Sequence, residues 1–321
     1  MGAVFRWVKY IYEWCRDFAL KGAGVGGGMP HGSFGGPIGN VWHVNGGADG
    51  VTAGADTNLG TKSSPFLTIR HALDQCINNH DDYIICWNTY NQDTFPIVPD
   101  VDGVHIIGVS GPTGNLATLD ASAGDTEVFT LGGICEGIEI AGFQLAGGAT
   151  HPAIQINSGS NSIWIHHNTF GHYWTGDAQD GISGGGSCFG SLIEDNWFYG
   201  KGGPNGTLSR YGIANLSGAW GEWTIRNNFF VALPTQAIYL AAPGTANHEF
   251  VIEHNIIGCP SDTDNIAIEL GNVCHDCVVS DNKAQYGKVE MTNNPYGDAA
   301  ADNHWMCNQV GSVMKYADEA M

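Results

Sequence analysis

The chain has 321 residues, 43% hydrophobic and only 14% charged, with 47 Gly and 11% aromatic residues. That much aromatic mass excludes a disordered Gly-rich chain, and the Gly spacing is not that of collagen. Twelve Lys and Arg face 32 Asp and Glu, a formal charge of −20, which repels phosphate backbones and argues against nucleic acid as a partner, and against a polyanionic glycan unless a metal ion screens the contact.

In chain order, Val4, Trp7, Val8, Ile11, Trp14, Cys15 and Phe18 recur at three- and four-residue steps, with Arg6, Lys9, Glu13, Arg16 and Asp17 mostly opposite. This spacing predicts an amphipathic helix within residues 1–21, whose stripe of Trp7, Ile11, Trp14 and Phe18 serves as an anchor. Its charges interrupt any signal-peptide core, and no apolar run is long enough to span a membrane. Nine Gly between Gly22 and Gly39, with Pro30 and Pro37, make residues 22–40 a flexible tether. Three surfaces compete for the anchor's apolar stripe: the open end of its own domain, a partner chain or further copies, and a membrane face. Acids on the polar side weaken the last.

From residue 41 onward the chain repeats itself. An apolar strand residue is followed three positions later by Asn in Ile85-Cys86-Trp87-Asn88, Ile165-His166-His167-Asn168, Ile193-Glu194-Asp195-Asn196 and Ile225-Arg226-Asn227-Asn228, then in Ile252-Glu253-His254-Asn255, Val279-Ser280-Asp281-Asn282 and Trp305-Met306-Cys307-Asn308. Ile107 and Ile140 belong to the series, and successive anchors lie 22 to 33 residues apart. A second strand series, Val128, Ile154, Ile182, Ile213, Ile238, Ile268 and Val289, tracks the first. Two strand ladders per repeat with no helical period between them predict a right-handed parallel β-helix of about nine coils over residues 41–310, followed by a tail over 311–321. Asn tolerates the sharp left-handed turn each coil requires, and Asn168, Asn196, Asn228, Asn255, Asn282 and Asn308 should stack into an amide ladder.

Nine cysteines fit no disulfide framework and read as buried free thiols in a reducing cytoplasm. Cys274-His275-Asp276-Cys277 has no second pair, so no metal site is expected. The stretch from Asp49 to Asn58 resembles a calcium loop in composition only, and a capping turn suits it better.

Val41 to Asp49, Asn58-Leu59-Gly60-Thr61, Pro65-Phe66-Leu67-Thr68-Ile69-Arg70-His71-Ala72-Leu73 and Asp82 to Trp87 together resemble the start of pectate-lyase-like single-stranded parallel β-helix proteins: a first strand, a capping helix over about Phe66 to Ile77, and the first coil. The resemblance covers roughly residues 41–310 and implies the fold. Its activities range from lyases and hydrolases to phage tailspikes and non-catalytic virion proteins, so it implies no single one.

Two adjacent coils carry long excursions, from Gly171 to Asp180 and from Tyr199 to Tyr211. Tyr173, Trp174, Tyr199, Lys201, Arg210 and Tyr211 there suit glycan binding. Asp177 with Asp180, or Asp177 with Asp195 on the next coil, are the candidate carboxyl pairs for glycoside hydrolysis. Lys201 or Arg210 would be the base of a pectate-type lyase, the one case in which calcium would be called for. His166 and His167, adjacent on a strand, point to opposite faces and read as surface or ladder histidines.

These features favour a virion-associated structural or adhesion protein, a tailspike or capsid-decorating spike assembled in the host cytoplasm. It would be a homotrimer, docked to other virion proteins through the anchor helix and presenting a rod to host glycans. The alternative is a polysaccharide lyase or glycoside hydrolase.

Overall fold

The computed structural model describes residues 39–47, 53–87, 93–109, 117–133, 135–171, 179–201, 206–240, 247–258, 266–271, 274–285, 288–289, 303–310 and 313–315. The anchor helix with Trp7, Ile11, Trp14 and Phe18, nearly all of the tether and most of the tail lie outside them.

The described chain is an all-β parallel β-helix. Its first sheet has ten strands, Val41–Asn45, Asp82–Trp87, Val104–Val109, Glu139–Ala141, Trp164–His166, Leu192–Glu194, Thr224–Arg226, Val251–Glu253, Val278–Ser280 and His304–Met306, paired in that order. At a rung spacing of about 4.8 Å this is a rod roughly 40 Å long. Two further sheets, of nine and seven strands, complete each coil. The repeat alone announced two ladders, and the missed one is the nine-stranded sheet. Its strands begin directly after each Asn, as in Thr169–Phe170 and Trp197–Tyr199, so first and second strands read in the sequence as one segment.

The turn between these two sheets also differs from expectation. The left-handed residue is the one before each Asn: His167, Asp195, Asn227, His254, Asp281 and Cys307 all have φ between 53° and 56°. The Asn that follows is buried, and its side chain, rather than its backbone tolerance, makes the turn. Asn168 Nδ2 donates to Asn196 Oδ1 at 3.3 Å, Asn196 to Asn228 at 3.1 Å, Asn228 to Asn255 at 3.1 Å, Asn255 to Asn282 at 2.9 Å and Asn282 to Asn308 at 3.0 Å. Each also donates to a strand carbonyl one coil back, as Asn228 does to Ile193 O at 2.9 Å. Gly142 (φ 77°) takes the left-handed place in a coil without Asn, where a Cβ would meet the carbonyl oxygen of Gly108.

The core is a set of files running along the axis. On the first sheet Trp42, Ile84, Ile106, Ile140, Ile165, Ile193, Ile225, Ile252, Val279 and Trp305 stand one above the next. The true register corrects the expected anchors 85 and 107 by one residue. Phe129 likewise, not Val128, aligns with Ile154. The second sheet contributes Phe170, Phe198 and Phe230, stacked at 4.6 and 4.7 Å. The capping helix is shorter than its apolar pattern, Ile69–Leu73, with Ile69, Ala72 and Leu73 buried. Asp93 accepts from Ile69 N and Arg70 N, and Thr68 Oγ1 from His71 N. Side chains thus supply the acceptors that a short helix cannot provide for itself.

Candidate functional site

A parallel strand turns alternate side chains outward, so the register of the first sheet fixes what stands together on its outer face. One outward file runs Tyr83, His105, Glu139, Trp164, and the next, two residues along, runs Ile107, Ala141, His166, Glu194, Arg226. Where these files are richest in polar groups, six coils contribute to one network.

Its centre is Glu139, 4% exposed. Oε2 lies 2.5 Å from His105 Nδ1 and Oε1 lies 2.6 Å from His166 Nε2. Burial pushes this carboxyl up, but the hydrogen bonds from the two imidazoles, and their charge, outweigh it and hold the group down at about 2. An ionised carboxylate only accepts, so both ring nitrogens donate to it. Tyr83 stacks flat on His105 at 4.3 Å and Trp164 on His166 at 4.0 Å. His166 Nδ1 meets His167 Nδ1 at 2.7 Å. His167 is drawn down to about 4, by burial first and then by the charge of His166, so it stays neutral. Trp164 Nε1 donates to Glu194 Oε1 at 3.0 Å, and Arg226 Nε donates to Glu194 Oε2 at 2.8 Å. Burial raises the carboxyl of Asp195 beside them, helped by the charge of Glu194.

A cleft of about 240 Å³ opens on this network, lined among others by Asp81, His105, Glu136, Glu139 and Trp164. His105 is the imidazole in its lining: Nδ1 is held by Glu139, and Nε2 has no protein partner among the described residues. A carboxylate on one ring nitrogen fixes the tautomer and turns the other into a proton acceptor.

The depressed Glu139 carboxyl carries a stability consequence. A group whose folded value lies below its unfolded one stabilises the fold above the unfolded value, and that contribution is lost as pH falls. Wild-type protein should therefore lose stability between about pH 5 and pH 2, and Glu139→Gln should flatten that limb of a urea-midpoint against pH curve. An unchanged limb would assign the acid loss to other carboxylates.

The residues singled out from the sequence fall elsewhere. Tyr173, Trp174 and Asp177 lie outside the described residues. Asp180 is fully buried and accepts from Arg210 Nε at 3.1 Å, from Arg210 Nη2 at 2.5 Å and from Tyr211 N at 3.1 Å. Tyr211 in turn stacks on Tyr239 at 4.7 Å. The described ends of the first excursion are bonded to the second, Gly171 O accepting from Thr207 N and Gln179 O from Arg210 N, each at 3.0 Å. Tyr199 stands at the second sheet, its ring stacked with Trp197 at 6.0 Å, and Lys201 follows it at the other end of the excursion from Arg210 and Tyr211. Asp195 belongs to the first-sheet network and shares no partner with Asp180. His166 and His167 do not part to opposite faces: His167, left-handed at φ 55° just past the strand Trp164–His166, brings its Nδ1 to 2.7 Å from that of His166, and both join the cluster. Cys274 and Cys277 are buried free thiols, pushed up by burial to about 11 and about 12, and Cys307 is an exposed one.

No protein-family model matches the sequence, and no curated protein matches it. Among solved structures the fold is similar to that of a rhamnogalacturonan lyase, with a TM-score of 0.55 at 10% identity over 85% of this chain and 74% of that one. It is also similar to the pectate lyase Pel9A, with a TM-score of 0.52 at 12% identity over 88% and 78%. At such identities the likeness is one of fold.

Proposed function

We propose that the chain is a carbohydrate-active β-helix that cleaves a polysaccharide lying along the outer face of its first sheet, by β-elimination with His105 as the base. The observation that carries this reading is the pair His105–Glu139: an imidazole in the lining of a cleft, held through one nitrogen by a buried carboxylate. In elimination next to a uronate carboxyl, Nε2 takes the α-proton, the C–H electron pair becomes the new double bond, and the glycosidic oxygen leaves with a proton from solvent. Hydrolysis needs two carboxyls at a set separation, and Glu139, engaged by two histidines, is unsuited to be one of them. Arg226, two rungs beyond His166, commits only Nε to Glu194. Its two terminal nitrogens, without partners among the described residues, offer a fork for the carboxylate of an acidic sugar. That local cation answers the repulsion which the net charge of −20 otherwise imposes.

The fold neighbours that cleave rhamnogalacturonan and pectate support an enzymatic reading over a scaffold. The virion-spike role and its homotrimer have no comparable support, and the docking stripe of Trp7, Ile11, Trp14 and Phe18 lies outside the described residues. Incubating the full chain with uronate-containing and neutral polysaccharides, with and without calcium, tests the proposal. Unsaturated, ultraviolet-absorbing chain ends from a uronate polymer are the expected result. New reducing ends without absorbance would make it a hydrolase, and binding without cleavage of any polymer would remove catalysis altogether.

A further inference from the structure

The outer face of the nine-stranded sheet carries an apolar patch, in a chain whose net charge is −20. Parallel register stacks Trp197, Phe229 and Ile256 in one outward file and Tyr199 and Val231 in the next, all of them partly or well exposed. The rings of Trp197 and Phe229 lie 4.5 Å apart, and those of Trp197 and Tyr199 6.0 Å apart. From Thr169 to Gln309 the described residues of these two files include no acid, and an exposed Lys283 follows Ile256 on the next rung. Trp197 also differs from every other described tryptophan. Nε1 of Trp87, Trp164, Trp220 and Trp223 donates to protein and that of Trp42 and Trp305 is buried, whereas that of Trp197 is left to the solvent.

We infer that this face is a second, non-catalytic site for an acidic polysaccharide: sugar rings stack on Trp197, Tyr199 and Phe229, Trp197 Nε1 donates to a hydroxyl, and Lys283 takes a carboxylate. The inference rests on an acidic polysaccharide being the ligand, as proposed above, but not on its being cleaved. Size argues for a glycan. The apolar files run over two rung steps, about 10 Å, and across two residues of strand, about 7 Å, which is room for about two pyranose rings. An interface between protein chains takes about 20–30 residues a side, far more than these five side chains supply. Charge agrees. A polyanion can approach this chain where a file holds no acid and ends in a lysine, whereas a second copy of the chain would bring its own 32 acids to the contact. Aromatic faces suit the C–H side of a sugar ring while its hydroxyls stay at the wet rim. The location links the face to the cation of the first sheet. Phe229 follows Arg226 in the same coil, around the turn at Asn227 and Asn228, as Trp197 follows Glu194. Fork and aromatic face therefore border one edge of the rod.

The test is frontal affinity chromatography of the full-length chain on columns of coupled polygalacturonate and of coupled dextran, with His105→Ala in every sample so that no polymer is cut. Polygalacturonate should retain the chain and dextran should not. Adding Trp197→Ser with Phe229→Ser should weaken retention by about tenfold at an unchanged melting temperature, since both side chains point away from the core. Lys283→Glu, a surface change that leaves the aromatic file intact, should weaken it several-fold and decides the matter if the double serine variant does not fold. Full retention of the variants overturns the site, and equal retention on dextran overturns its preference for an acidic polymer. A multimer by light scattering that the serine variant dissociates would make the face a contact between copies instead. Because retention is read without turnover, it is separate from the proposed cleavage: a chain that binds through this face and yields no unsaturated ends with His105 intact would keep the site and lose the enzyme.

Discussion

His105→Ala should lower the rate of appearance of unsaturated ends by about 10²- to 10⁴-fold, the range that a positioned general base contributes. The melting temperature should fall only modestly, since the side chain is partly exposed and its loss removes one stacking partner of Tyr83 and one of the two donors to Glu139. KM should stay close to wild type, because the proposed carboxylate fork, Arg226, lies on a different coil and is left intact. His105→Gln, which restores bulk and a donor toward Glu139 but no basic nitrogen, should be as inactive as the alanine variant. Retained turnover in the glutamine variant would place the base elsewhere and reduce the His105–Glu139 bond to a structural one.

The second large effect concerns stability. Asn228→Ala removes Oδ1, which accepts from Asn196 N at 3.0 Å and Asn196 Nδ2 at 3.1 Å, and Nδ2, which donates to Ile193 O and to Asn255 Oδ1. Asn196 N, Asn196 Nδ2 and Ile193 O all lose partners in a buried place, at about 1–3 kcal/mol for each unsatisfied group. A loss on the order of 4 kcal/mol should follow in urea denaturation. Asn308→Ala, at the last rung of the file, strips the equivalent partners from Asn282 N, Asn282 Nδ2 and Val279 O but breaks no onward bond to a further amide, and should cost less. Equal losses at the two rungs would show that the amides act as separate bonds rather than as a continuous file.

The ladder explains why the fold could be read from the sequence. A buried Asn three residues after an apolar one has no cheap substitute, because its amide must donate and accept along the axis at once, and so the pattern survives six times over from Asn168 to Asn308. The nine-stranded sheet left no such trace. Its strands are two to four residues long, and from Thr169–Phe170 onward they follow the Asn without a break. Register failed where alternation failed: Tyr83-Ile84-Ile85-Cys86-Trp87 and His105-Ile106-Ile107 are apolar nearly throughout, so nothing in them tells which parity faces inward. That one-residue slip hid the site. With Ile107 set against Ile140, Glu139 lies beside Ile106; in the true register it lies beside His105. The signal was present in the chain, in the polar residues His105, Glu139 and Trp164 immediately preceding three core isoleucines. The excursions drew attention instead because length and aromatic content are visible without register, whereas a network assembled from six coils is not.

The strand Asn308–Val310 pairs antiparallel with Val313–Lys315, against the parallel sense of every other pairing in the three main sheets. A second rod arriving tail to head would bring strands of the rod's own direction to this edge and meet one of reversed polarity, with its hydrogen-bonding groups spaced for a different partner. In the nine-stranded sheet the reversal thus removes the matching edge that a further parallel rung would need.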